Sequence, residues 1–189
     1  MQINTDRASE LEFDEHFDKH FDKYCDEHWM EVALQAARDA AQAEEVPVGA
    51  CVVIDGCLVA VSGNRTRTDC DPTAHAEIIA LREAAQKIKN FRLTEACIYV
   101  TLEPCAMCAG AFVQARIKRL VFGALDEKAG AVSSVFRICD SNELNHRIEW
   151  RGQVCEEESR NLLRNFFRVR RGGDAGCQML DAGDEVTNI

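Results

Sequence analysis

Pro72-Thr73-Ala74-His75-Ala76-Glu77 and Glu103-Pro104-Cys105-Ala106-Met107-Cys108 are the two stretches around which this 189-residue chain is organised. Each has the pattern of a strand giving way to a helix. Val100-Thr101-Leu102 closes an apolar, strand-like run. Pro104 then suits the first position of a helix, where its missing N–H is no loss. On that helix Cys105 and Cys108 stand three residues apart and share a face. Thr73 is the expected N-cap of the other helix, with His75 and Glu77 in its first turn.

One imidazole and two thiolates suit zinc, and three protein ligands leave the fourth tetrahedral position open for water. A closed structural site needs a fourth side chain at matching spacing. The next cysteine after the pair is Cys139, which has no partner two to four residues away. Glu77, two residues past His75, suits a proton carrier better than a fourth ligand. Plainer readings stand beside this one: a lone C-x-x-C can be a redox pair, and a histidine at a helix start can be a satisfied core residue. The combination of H-x-E with a later P-C-x-x-C is similar to the signature of zinc deaminases.

Composition is ordinary for a globular protein, with 47% hydrophobic and 29% charged residues. The length fits one domain able to bury most of its apolar surface. Ten cysteines are many, yet below the density of a disulfide scaffold. The N-terminus shows neither an apolar signal core nor a basic amphipathic pattern, and no run reaches membrane-spanning length. A reducing compartment, the cytoplasm, is therefore expected, with thiols free or on metal. The net charge of −10 is concentrated at the start: the first 31 residues carry ten acidic and three basic side chains. The remainder is near neutral, so local patches decide what it can bind.

Taken in order, residues 1–27 form an acidic extension in which Phe13, Phe17 and Phe21 recur at helical spacing. Its His16 and His20 are read as a solvated face rather than a metal clasp. The domain proper is expected over residues 28–171, followed by a polar tail at 172–189. A helix from His28 to Glu44 carries Met30, Ala33, Leu34, Ala37 and Ala41 on one face. Runs at residues 50–54 and 58–61 flank Asp55-Gly56, a strong hairpin signal. A ligand helix over 74–87, a strand over 97–101, the cysteine helix to about 116, and strands over 119–123 and 147–153 follow. A last helix covers 156–171. This alternation implies an α/β fold, a three-layer α/β/α sandwich on a mixed five-stranded sheet. The hairpin makes the first two strands antiparallel, and crossovers make the strands after the ligand helices parallel.

Over residues 29–171 the chain resembles the bacterial-type tRNA-specific adenosine deaminases of the cytidine-deaminase-like superfamily. The resemblance is carried by E-V-P-V-G-A at 45–50, D-P-T-A-H-A-E at 71–77 and T-L-E-P-C-A-M-C-A-G at 101–110. G-A-x-D-x-K-x-G-A at 123–131, N-H-R at 145–147 and F-F-R-x-R-R at 166–171 complete it. It implies hydrolytic deamination of adenosine to inosine at the wobble position of a tRNA anticodon. One Zn2+ per chain is then held by His75, Cys105 and Cys108, and Glu77 shuttles protons between the activated water, N1 of adenine and the leaving amine. The target base must leave the stack, which a loop nucleotide does at little cost.

The same resemblance places Asn64 against the flipped base, Asp126 near the flanking RNA, and Val46 and Leu102 as apolar pocket walls. Leu125 occupies a position of that loop that is often polar or charged in the family. Phe167, Arg170 and Arg171 become tRNA contacts at the end of the last helix, against a purely structural role for that helix terminus. The implied partners are the tRNA anticodon stem-loop and a second copy of the chain as a homodimer, with no membrane. The alternative is a zinc-dependent free-base or nucleoside deaminase acting on guanine, cytosine or a riboflavin-pathway pyrimidine. A non-catalytic zinc subunit that binds tRNA is a more distant one.

Overall fold

The computed structural model describes the backbone of residues 15–173 and the side chains of residues 26–171. Phe13 and the tail beyond 173 lie outside the described residues, as do the side chains of Phe17, Phe21, His16 and His20. Four helices and five strands follow one another as α1 (Glu15–Gln42), β1 (Gly49–Ile54), β2 (Cys57–Gly63), α2 (Ala76–Ile88), β3 (Ala96–Leu102), α3 (Ala106–Ala115), β4 (Arg119–Ala124), β5 (Glu149–Arg151) and α4 (Glu156–Gly173). The sheet runs β2-β1-β3-β4-β5. β1 is antiparallel to both β2 and β3, while β3, β4 and β5 are parallel. The expected mixed five-stranded α/β sandwich is the fold observed.

Strand alternation explains the layers. Ala50 and Val52 on β1, Ile98 and Val100 on β3, and Leu120 and Phe122 on β4 face one core, shared with α2 and α3. Their neighbours Cys51, Val53, Tyr99 and Val121 face the other, shared with Met30, Ala33 and Leu34 of α1. Both faces of the sheet are therefore covered. Helix α1 approaches so closely that a Cβ at Gly49 would lie 2.0 Å from the Ala33 carbonyl oxygen. At the hairpin, Asp55 and Gly56 both take positive φ, 50° and 70°, as a tight two-residue turn requires.

Three local expectations are corrected. Helix α1 begins well before His28, at Glu15. The N-cap of α2 is His75 rather than Thr73; the Thr73 N–H and hydroxyl donate to Asp71 Oδ1 at 2.8 and 2.7 Å, which holds Thr73 in a turn ahead of the helix. The N-cap of α3 is Cys105, so Pro104 precedes the helix instead of opening it.

Asp26 ties α1 to the sheet. Its carboxylate is 1% exposed. It accepts two bonds from the Arg119 guanidinium at 2.7 and 2.9 Å, one from Arg151 at 2.8 Å and one from the Tyr99 hydroxyl at 3.1 Å. Residues of β3, β4 and β5 thus converge on one anion. Removing it leaves half-buried guanidinium charge without its partner, and losses of about 3–5 kcal/mol accompany such a broken pair. Because both arginines keep some solvent contact, Asp26→Ala is expected to cost about 3 kcal/mol. Urea unfolding checks this through a lower midpoint at unchanged slope, and an unchanged midpoint contradicts it.

Candidate active site

Helices α2 and α3 both start at the same end of the sheet, and each starts on a ligand-type residue. His75 and Cys105 are the two N-caps, both in extended backbone (φ −73°, ψ 148° and φ −72°, ψ 172°), and neither side chain caps its own helix. Their side chains are turned toward each other instead. His75 Nδ1 lies 3.7 Å from Cys105 Sγ and 3.6 Å from Cys108 Sγ, and the two sulfurs are 3.7 Å apart. Zinc bonds of about 2.3 Å to sulfur and about 2.0–2.1 Å to imidazole nitrogen put tetrahedral ligand atoms roughly 3.6–3.8 Å apart. The triangle matches that spacing. Among the described residues these three are the one such group able to hold a metal ion, and no fourth His, Cys, Asp or Glu completes it.

Electrostatics favour the charged sulfur. Hydrogen bonding with Cys108, supported by His75 and opposed by burial, holds the Cys105 thiol well below the usual range. The neighbouring Cys105, together with burial, pushes Cys108 up. The Cys105 sulfur raises His75 against the opposite pull of burial. Two helix N-termini, each carrying partial positive charge, add to the stabilisation of thiolate here.

Glu77 sits in the first turn of α2, 4% exposed. Burial pushes its carboxyl up, against its backbone hydrogen bond and the His75 charge. Its Oε2 is one of two buried side-chain polar atoms without a hydrogen-bond partner among the described residues. A buried carboxylate oxygen without a donor is costly. Here it borders a cavity of about 250 Å³ that also meets His75 and Cys105. That volume lies below the ~300–1,000 Å³ of drug-sized sites and suits a single base. A larger cleft of about 580 Å³ between α1 and β2 holds no such cluster, so the chemistry belongs to the smaller one.

Val46, Asn64, Leu102 and Asp126 all line the same cavity. Asn64 Oδ1 accepts the Ala76 N–H at 2.8 Å. It supplies the cap that His75 does not, and its NH2 remains for an outside acceptor. Asp126 Oδ1 accepts from the Lys128 and Ala129 N–H groups at 3.0 and 3.1 Å, so this side chain does fold its own loop. Leu125 is exposed beside it. Phe167, Arg170 and Arg171 do not line the cavity. Phe167 is 41% exposed, while Arg170 stacks 4.5 Å from the Phe166 ring centroid and donates to the Glu44 carbonyl at 2.8 Å. Arg171 reaches the Phe167 carbonyl at 3.4 Å.

Reading the sequence missed two buried carboxylates beside the cavity, Glu45 and Glu103. Glu45 accepts from Thr66 Oγ1 at 3.1 Å, the Arg67 N–H at 2.9 Å, and the Thr68 N–H and Oγ1 at 2.7 and 2.9 Å. It thereby pins the loop after Asn64 to the Val46 wall. The signal available was an acidic residue beside apolar Val46-Pro47-Val48, with no basic neighbour within several positions.

An α/β sandwich with a His-Cys-Cys triangle and a buried glutamate in one base-sized cavity is the arrangement of a deaminase. A family model described as MafB19-like deaminase matches residues 25–171. The tRNA-specific adenosine deaminase of Haemophilus influenzae is 49% identical over 140 residues, covering 74% of this chain and 81% of that protein. The enzyme of the same name from Agrobacterium fabrum is 48% identical over 143 residues, covering 76% and 94%. A solved structure from studies of A-to-I editing by tRNA:A34 deaminases at the wobble position shares 48% identity with a TM-score of 0.70, covering 72% of this chain and 99% of that one. The chain belongs to this deaminase family, and within it to the tRNA-specific adenosine deaminases.

Glu45 gives a pH-dependent prediction. Burial raises its carboxyl, but hydrogen bonds from Thr68, Thr66 and Arg67 outweigh that and hold it below the usual range of a glutamate. A depressed folded-state pKa contributes stability that is full above the unfolded value and lost as pH falls through the folded one. The stability advantage of wild type over Glu45→Gln is therefore expected to be constant above about pH 5 and to shrink below about pH 4.5. Paired urea titrations across that range check it, and a gap that widens on acidification contradicts it.

Proposed function

We propose that this protein hydrolytically deaminates adenosine to inosine at the wobble position of tRNA anticodons, with His75, Cys105 and Cys108 holding one zinc ion and Glu77 moving the protons. The observation that carries this is the partnerless Glu77 Oε2 beside a ligand triangle of zinc dimensions, in a chain whose relatives are tRNA deaminases. Zinc, when bound, supplies a Lewis acid that makes water nucleophilic near neutral pH.

The residues of the chain do the rest. Glu77 accepts a proton from water and delivers it to N1 of adenine, which leaves C6 open to attack. The carboxylate, free again, then takes the proton of the hydroxyl now on C6 and hands it to the departing amine as the C6–N bond breaks, so that adenosine and water become inosine and ammonia. A buried carboxyl, pushed up from its usual value by burial, can both accept and donate within one turnover. Asn64 directs its NH2 to the base, while Val46 and Leu102 cover the base faces and exclude water. Asp126 meets the RNA beside the reacting nucleotide.

Helix α4 adds an RNA-facing end through Phe167, Arg170 and Arg171, supported by an acid-free stretch from Arg160 to Gly173. A homodimer is supported by α3, whose outer positions Ala106 and Met107 are exposed, while a Cβ at Gly110 would meet nothing within 4 Å. No described helix is long and apolar enough to cross a membrane, and we place the protein in the cytoplasm with its tRNA substrate.

The test is incubation of zinc-loaded protein with an anticodon stem-loop bearing A at the wobble site, read by sequencing for inosine. Wild type is expected to convert it, and Glu77→Ala to lose at least ~10²-fold in kcat, the scale of a general acid–base residue, with zinc content unchanged. Turnover of guanine, cytosine or a riboflavin-pathway pyrimidine without RNA, in place of the stem-loop, favours the free-base alternative. Deamination undiminished by Glu77→Ala favours a non-catalytic subunit.

Arg171→Glu tests the helix end, because among the described residues Arg171 bonds to the Phe167 carbonyl of its own helix. Weaker tRNA binding with a shallower salt dependence is expected. Unchanged affinity at physiological salt takes this end out of the interface.

A further inference from the structure

The deepest unexplained polar group next to the cavity is Glu103, 2% exposed, between the end of β3 and the Cys105 turn. Its Oε1 accepts from the Val132, Ser133 and Ser134 N–H groups at 3.1, 2.7 and 2.9 Å, with Ser133 Oγ at 3.4 Å. Its Oε2 accepts from the Asp126 N–H at 3.1 Å and from the Ser134 hydroxyl. All six donors come from one loop. A carboxylate offers about four lone-pair sites on two oxygens and no donor, so it can close both ends of that loop at once.

The surrounding backbone is fitted to this anchor. Ala131 N–H donates to the Pro104 carbonyl at 2.8 Å, and Cys105 pairs with Gly130 in an isolated bridge. A Cβ at Gly130 would come within 2.4 Å of the Glu103 carboxyl, so only glycine lets the carboxylate sit there. The loop begins at Asp126, whose side chain already folds residues 126–129. Where Asp126 stands over the cavity thus depends on the bond from its N–H to Glu103. Glu103 itself only accepts, and both of its oxygens are taken up by donors of this loop.

We propose that Glu103 is a positioning residue: it fixes the loop of residues 125–134 against the Cys105 turn and so sets how firmly the nucleotide beside the reacting base is held. This rests on the tRNA-deaminase reading of the cavity. Glu103→Gln discriminates sharply. Its amide oxygen can keep the three N–H groups of Val132, Ser133 and Ser134, and its NH2 can donate to a rotated Ser134 hydroxyl. The Asp126 N–H alone then loses its acceptor.

Steady-state kinetics on the wobble-A stem-loop, with zinc content and thermal midpoint measured alongside, test it. Glu103→Gln is expected to raise KM about tenfold while kcat stays within about threefold and zinc remains at one per chain. Ser134→Ala is expected to raise KM about threefold, and to add less than that in the Glu103→Gln background, because both act through one anchor. If Glu103→Gln does not fold, Ser134→Ala decides alone. Unchanged KM in the folded variants overturns the proposal, as does a loss confined to kcat or a loss of zinc. A wild-type protein that makes no inosine overturns the underlying reading and the proposal with it, whereas active wild type with unmoved KM overturns the proposal only.

Discussion

Two helices must deliver three ligand atoms to within 3.7 Å of one another, and the rest of the fold answers to that constraint. The sheet meets it by placing β1 and β3 side by side, with α2 and α3 packed on the same face. Because two of the three ligands, His75 and Cys105, are the N-caps themselves, their backbone is extended and their side chains leave the helix axis freely. The cost is an uncapped helix start. Asn64 offsets it at α2 by accepting the Ala76 N–H, which also locks that amide at the rim of the cavity. Positioning of the base contact and capping of the ligand helix are in this way one interaction.

Around this centre the charge is arranged in an unusual way for a protein of net charge −10. Three buried carboxylates do structural work, and each ties together segments far apart in sequence. Asp26 joins α1 to strands 93 and 125 residues away. Glu45 and Glu103 each hold a loop flanking the cavity, one on the Asn64 side and one on the Asp126 side. All three accept several donors, which is what makes burial of the charge tolerable. Glu77 is the exception, with an oxygen left unmatched. The proton-carrying role proposed for it fits that difference.

Much of this was legible in the sequence and some was not, for separable reasons. Strand alternation, the Asp55-Gly56 turn and the crossover logic are local or pairwise rules, and they yielded the five strands and the helix faces. The metal-type triangle was legible because H-x-E and P-C-x-x-C restrict chemistry more tightly than structure. The starts of α2 and α3 were misplaced by about two residues, and at α2 the reason is local: Asp71 holds Thr73 in a turn ahead of the helix. The cap rule cannot anticipate a side chain that prefers another partner. The roles of Asp26, Glu45 and Glu103 were hidden because their partners lie about 20 to 125 residues away, and a lone acid in sequence looks like surface. Arg170 was read as an RNA contact from its charge. Its contacts with Phe166 and Glu44 show that it also fastens α4 to the end of α1.

The hairpin between β1 and β2 has a practical use. Its Asp55-Gly56 tip stands at the opposite end of β1 from Val48 and the cavity, about 23 Å away at the usual rise per strand residue. Nothing lies within 4 Å of a Cβ built on Gly56. Exposed tips of this kind accept grafted sequence well. A fluorophore or affinity peptide spliced in there would report on the enzyme or immobilise it while leaving the cavity and the helix ends facing it undisturbed.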